Sequence, residues 1–234
     1  MNYKLIIFDL DDTLFDYRAT EMHAFRGACS AQGIPFSAEN YITYKRANDV
    51  AKKELPNYML NLSEFRRKRV SIFFGLIGNH SANGGKFIED YLKLSEDGIL
   101  IEGVFDTIST LHPDINVAVA TNGSDYPRKN KLFGSKIACY VDRYYSSDNM
   151  GVMKPDAVFF DKIISDFFVN KNEVLSVGDD WDTDVIGSVN EGIACCWFNW
   201  KNNFIPSELP ANVKIITAFK EIKEAMRRNN EKIY

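Results

Sequence analysis

The stretch Tyr3-Lys-Leu-Ile-Ile-Phe-Asp-Leu-Asp-Asp-Thr13 decides the fold. Its apolar block, Tyr3 to Phe8, stops abruptly at Asp9, Asp11 and Asp12, as a strand buried on both faces of a parallel sheet does where it reaches the carboxyl edge. Blocks of the same kind recur at Ile115–Ala120, more weakly at Tyr140–Ser146, and then at Val174–Val177, Ile193–Phe198 and Val213–Ile216. Segments of helical length lie between them, among them Phe105–Leu111, Ala157–Phe168 and Asp184–Glu191, with Gly123, Pro127, Gly151, Pro155, Gly178 and Gly192 at the joints. This alternation predicts βαβ units.

Asp16 to Asp97 reads differently. It has no convincing strand block, and Leu62, Phe65, Ile72 and Leu76, widened by Phe73 and Ile77, recur at helical spacing. Its 12 basic and 10 acidic residues give +2, whereas the rest of the chain, 16 basic and 22 acidic, carries −6. The expected organisation is an α/β core of residues 1–15 and 99–234, a Rossmann-like doubly wound parallel sheet, with residues 16–98 inserted as a helical cap domain. The polar tail Arg227–Lys232 is expected to fray.

Composition narrows the function. The 234 residues carry 28 basic and 32 acidic side chains, net −4, too weak a positive field to hold a nucleic-acid polymer by charge. Cys29, Cys139, Cys195 and Cys196 have no C-x-x-C spacing, which argues against a zinc site or a disulfide framework and for a reducing, cytoplasmic setting. Nowhere do 18 apolar residues run together, so no membrane span is expected.

Chemistry concentrates at the ends of the expected strands, where ligands bind in open α/β sheets. Asp9 can attack a phosphoryl or carbon centre, and Asp11 can pass a proton to the leaving group and later take one from water. Carboxylates so close repel one another unless a cation intervenes, and Mg²⁺, hard and oxygen-liganded, suits that need. Thr121-Asn122-Gly123 offers a hydroxyl and a turn for phosphate oxygens, and Lys154-Pro155 is expected to open a helix and to place a cation beside the anions. Gly178-Asp179-Asp180-Trp-Asp182-Thr-Asp184 adds carboxylates for the metal: Asp179 as a direct ligand, Asp184 entering the next helix and orienting the cluster. Asp12, Asp180 and Asp182 fit helix capping or solvation better than metal binding. Of the run Arg66–Arg69, Arg69 falls on the apolar side of its helix, where it either faces substrate or snorkels at the stripe's edge.

Asp9-x-Asp11-x-Thr13, Thr121-Asn122, Lys154 and Gly178-Asp179-x4-Asp184 together resemble the four motifs of the haloacid dehalogenase-like hydrolase superfamily, and the insert resembles the helical cap of its first subclass. The resemblance implies a phosphoaspartate at Asp9, a general acid/base at Asp11, and Mg²⁺ among Asp9, the main-chain carbonyl of Asp11 and Asp179, with Asp184 in the same acidic set. It also implies Thr121, Asn122 and Lys154 on the phosphoryl group. An aspartate two residues after the nucleophile is the mark of the phosphatases and phosphomutases of that superfamily. Tyr44-Lys45 to Asn48, Arg69 and Gly192-Ile-Ala-Cys-Cys-Trp-Phe-Asn199 are similar to the bacterial pyrimidine 5′-nucleotidase branch. The expected activity is thus Mg²⁺-dependent hydrolysis of small phosphomonoesters, pyrimidine nucleoside monophosphates first, by a monomer or small homo-oligomer. Its rivals are a sugar-phosphate or phosphoglycolate phosphatase, a phosphomutase, and a non-catalytic module that signals through phospho-Asp9.

Overall fold

A computed structural model describes residues 3–56, 61–123 and 125–227. Six strands form one sheet: β1 (Leu5–Phe8), β2 (Asn116–Thr121), β3 (Arg143–Ser146), β4 (Val174–Gly178), β5 (Ala194–Phe198) and β6 (Val213–Ile216). Their order is β3-β2-β1-β4-β5-β6, and every neighbouring pair is parallel. β1 lies between β2 and β4, with Leu5 opposite both Asn116 and Val174, which explains why all four of its residues are buried and apolar.

Alternate β1 side chains enter two separate cores. Ile6 and Phe8 pack with Val104, Ile108 and Leu111 of one helix and with Phe219 and Ile222 near the C-terminal end. Leu5 and Ile7 pack with Phe159, Phe160, Ile163 and Ile164 on the other face. Period-two side-chain alternation thus makes a sheet wound on both sides. The strand order reverses at β1 and β4, the switch point at whose carboxyl edge such sheets open a crevice.

The chain divides into two compact units, Met1–Tyr17 with Gly98–Tyr234, and Arg18–Asp97. The second is built from α1 (Tyr17–Ala31), α2 (Ala38–Glu54), α3 (Leu62–Leu76) and α4 (Gly84–Leu94). Ser37, Asn61 and Asn83 cap the last three, each side chain accepting from a backbone N–H three residues on. Its core is aromatic: Phe25, Tyr44, Phe73 and Phe87 contact one another, and Phe74 joins through Phe73 and Phe87.

Several expected details are corrected. The buried face of α3 runs through Phe65, Arg69, Val70, Phe73 and Phe74, keeps Phe65 and Phe73 of the expected stripe with Ile72 and Ile77 packed at its edge, and leaves Leu76 52% exposed. The ring of Phe87 on α4, 5.4 Å away centre to centre, draws Phe74 in beside Phe73. The helix expected at Ala157–Phe168 ends at Asp166, because Phe168 adopts φ 54° and stands 95% exposed. The expected Asp184–Glu191 helix is two pieces, a π-helical turn over Trp181–Val185 and a short helix over Ile186–Asn190. Residues 228–232 of the tail lie outside the described residues. Among the described residues, no helix is long and apolar enough to cross a membrane.

Candidate active site

Asp9 follows β1 directly, and its N–H still pairs with Val177 O at 2.9 Å, which fixes its backbone to β4. The chain then turns tightly, Leu14 and Phe15 both donating to Leu10 O, with Asp12 at φ 65°, a left-handed conformation that aspartate tolerates better than most side chains. Asp9 Oδ1 accepts from Lys154 Nζ at 2.8 Å.

Lys154 is the buried hub. Its ammonium has three N–H groups and spends them on Asp9 Oδ1, Asp184 Oδ1 at 2.6 Å and Ala120 O at 2.9 Å. Burial alone would favour the neutral amine, but Asp184 and Asp9 outweigh it and hold the ammonium above the usual lysine range. Asn122 clasps the lysine's main chain, its Nδ2 donating to Lys154 O at 2.8 Å and its Oδ1 accepting from Lys154 N at 2.9 Å. The side chain of Asn122, expected on phosphate, is thereby committed to positioning Lys154. Pro155 does not open a helix: Asp156 is the N-cap, its side chain accepting from Val158 N–H, and the helix runs Ala157–Asp166. Thr121 is buried at the end of β2, and the Gly123 N–H beyond it donates to Ser147 Oγ at 2.7 Å.

The carboxylates after β4 complete the cluster. Gly178 is required by close approach, since a Cβ there would lie 2.3 Å from Asp184 Cγ. Asp184 Oδ2 accepts from Asp180 N–H at 3.1 Å, and Asp180 caps the π-helical turn by accepting from the Thr183 N–H and hydroxyl, the capping role expected of it. Carboxylate oxygens of Asp9, Asp179 and Asp184 lie within 4.8 Å of one another. Burial and the neighbouring Asp9 push the Asp179 carboxyl up to about 6, against the opposing pull of Lys201. Burial also raises Asp184, with Asp9 and Asp179 adding to it against Lys154. Three hard oxygen donors that repel one another fit a divalent cation of the magnesium type.

The side chain of Asp11 points elsewhere. Its Oδ2 accepts from Arg128 Nε at 2.7 Å and its Oδ1 from Lys131 Nζ, so its carboxylate stands outside the Asp9, Asp179 and Asp184 cluster. Burial raises its pKa, but Lys131 and Arg128 overcome that and hold it below the usual aspartate range. Arg128 and Lys131 were not among the expected site residues. Their one sequence signal is two cations three apart in the helical segment after Thr121, Asp125–Phe133, whose Tyr126 is extended. Lys201, also unforeseen, bridges Asp12 Oδ2 at 2.6 Å and Asp179 Oδ2 at 3.1 Å. Asp179 is further fixed by Trp197, whose indole N–H donates to its carbonyl at 2.9 Å.

Arg69 belongs to the helical unit. It is 8% exposed, its guanidinium 4.7 Å from the ring centre of Tyr44, 5.2 Å from Tyr91 and 5.6 Å from Phe65. It sits in an aromatic cage rather than snorkelling at the edge of the stripe.

Residues 6–198 match the model of the haloacid dehalogenase-like hydrolase family. The chain is 27% identical to the HAD-hydrolase YfnB of Bacillus subtilis, over 84% of both chains. It is 29% identical to the pyrimidine 5′-nucleotidase PynA of Streptococcus pneumoniae over 85% of each, and 27% identical to a glyceraldehyde 3-phosphate phosphatase of Pyrococcus abyssi over 84% of this chain and 82% of that one. The crystal structure of magnesium-bound YfnB shares the fold, with a TM-score of 0.80 and 24% identity over 97% of this chain and all of that one. With the family match spanning most of the chain and the acidic cluster standing at the sheet's switch point, the protein belongs to the haloacid dehalogenase-like hydrolases.

Proposed function

We propose that the chain is a Mg²⁺-dependent phosphatase of small phosphomonoesters, working through a phosphorylated Asp9, with pyrimidine nucleoside 5′-monophosphates as its first substrate class. The observation that carries this reading is the spatial division of labour between two aspartates two residues apart. Asp9 stands in the acidic cluster against Lys154, while the side chain of Asp11 is held outside it by separate partners.

In the first step Asp9 Oδ2, the oxygen not engaged by Lys154, attacks phosphorus. The bond from phosphorus to the leaving oxygen breaks, and that oxygen takes a proton from Asp11, whose carboxyl Arg128 and Lys131 hold below the usual aspartate range here, so that it takes up this proton only once one of them lets go. In the second step water attacks phosphorus, the bond to Asp9 breaks, and Asp11 receives the water's proton, so phosphate leaves and both aspartates are restored. Lys154 steers Asp9 and carries positive charge toward the transferring group, with Thr121 and the turn at Asn122 beside it. A magnesium ion held by Asp9, Asp179 and Asp184, with the main-chain carbonyl of Asp11, would neutralise the charge of nucleophile and substrate. Residues 16–98 are proposed as the cap that selects the leaving group, and Arg69, caged as it is, as a support of that unit's fold.

Similarity to PynA, 29% identical, supports the nucleotide class, and the weaker match to a glyceraldehyde 3-phosphate phosphatase, 27% identical, supports sugar phosphates as the second. Phosphate release from nucleoside monophosphates, sugar phosphates and phosphoglycolate, with Mg²⁺ or EDTA, tests both. A pyrimidine nucleotide hydrolysed well and silenced by EDTA supports the reading. Preference for a sugar phosphate moves the substrate class, and a sugar 1-phosphate isomerised without phosphate release would replace hydrolysis by a mutase.

A further inference from the structure

The turn that leaves β5 reaches both acidic turns of the site, the one after β1 and the one after β4. Asn199 folds it, Oδ1 accepting from Asn203 N–H at 2.7 Å and Nδ2 donating to Asn203 O at 3.0 Å, with Asn202 at φ 55° between them. Trp200 donates its indole N–H to Asp12 O at 2.8 Å, as Trp197 does to Asp179 O at 2.9 Å. Lys201 then serves the carboxylates of the same two aspartates with one ammonium, 2.6 Å from Asp12 Oδ2 and 3.1 Å from Asp179 Oδ2. That ammonium stands 5.5 Å from the ring centre of Trp200. A positive charge is thus carried to Asp179 on a seat built for it, without entering the buried centre that Lys154 occupies.

We infer that Lys201 is a tethered counter-ion that competes with Mg²⁺ for Asp179 and so sets how tightly the acidic cluster holds the ion. The inference rests on the reading of Asp9, Asp179 and Asp184 as the Mg²⁺ site. Two physical effects act in the same direction. Nζ engages one of the two oxygens that Asp179 can offer, and a fixed positive charge beside the cluster repels a divalent cation. The same charge stabilises the chain without metal, because it offsets the repulsion between carboxylates brought close together. Lys154, 3% exposed, is walled in, whereas Lys201, 35% exposed, can exchange a carboxylate for water when a stronger cation arrives.

The measurement is Mg²⁺ affinity by calorimetric titration at pH 8, without substrate, for the intact chain, Lys201→Met, Lys201→Gln and Lys201→Arg. Expected is Mg²⁺ bound about fivefold or more tightly by both neutral variants, and within about threefold of the intact chain by Lys201→Arg, which keeps the charge. Thermal melts of the same proteins give a second reading. By linkage, the neutral variants lose more stability in EDTA than in saturating Mg²⁺. Damage to the fold of the site can only weaken binding, so the direction of the change separates competition from mere support of the turn. Unchanged or weaker binding in the neutral variants would overturn the inference and leave the Mg²⁺ site standing, as would equal tightening in Lys201→Arg. If neither the intact chain nor any variant binds Mg²⁺, the reading of the site and the inference fall together.

Discussion

Lys154 Nζ stands 2.6 Å from Asp184 Oδ1, with both side chains almost wholly withdrawn from solvent. An ion pair in such a place contributes little over a well-packed apolar pair, but removing one member is costly, because the other is left charged and buried. Lys154→Met is therefore expected to destabilise the fold by roughly 3–5 kcal/mol at neutral pH, less at acidic pH where the stranded carboxyls take up protons. Denaturant unfolding at pH 5 and pH 8 checks this, and an unchanged midpoint at pH 8 would contradict it.

Asp179 gives the pH dependence its sign. Its carboxyl, ordinarily near 3.8, is pushed up to about 6, so the folded chain holds that proton more tightly than the unfolded chain. Its favourable contribution is complete below about pH 4 and is lost as pH rises through about 6. In EDTA, Asp179→Asn should thus stabilise the protein at pH 8 by on the order of 1–3 kcal/mol and have almost no effect at pH 4. Equal destabilisation at both pH values would show that hydrogen bonding, not charge, governs this side chain.

Mg²⁺ should raise the melting temperature of the intact chain, as any ligand of the folded state does, and raise it far less in Asp179→Asn. Thermal melts across a magnesium titration read this without any substrate. An equal rise in both proteins would place the ion elsewhere.

Gly178→Ala puts a methyl group where the Asp184 carboxylate now lies, 2.3 Å from its Cγ. The expected result is a loss of stability of about 1–3 kcal/mol together with weakened magnesium binding, since Asp184 must move away from Lys154. Calorimetric titration with Mg²⁺ beside denaturant unfolding separates the two effects, and unaltered magnesium affinity would argue against Asp184 as part of the cation site.

Much of this architecture was legible in the sequence because its signals are local. A four-residue apolar strand stopped by aspartates announces both a buried parallel strand and a polar carboxyl edge, and Lys154, Asp179 and Asp184 stand at later joints of the same alternation. The partners of Asp11 were not legible, because Arg128 and Lys131 lie 117 and 120 residues away and no periodicity marks who faces whom across a sheet. Lys201 was hidden for the same reason, reaching Asp179 across 22 residues from beyond β5. On α3, helical spacing placed Phe65 and Phe73 inside, but only the ring of Phe87 on the facing helix decides that Phe74 turns inward and Leu76 stays outside.

In the proposed mechanism Asp9 carries the phosphoryl group between the two steps. The most direct test is to quench the protein with acid during turnover of its best phosphomonoester and to locate the added phosphoryl group by peptide mass spectrometry. It is expected on the peptide containing Asp9, with neither adduct nor turnover in Asp9→Asn. Phosphate release that persists in Asp9→Asn, or a phosphoryl group trapped on any other residue, would contradict this mechanism.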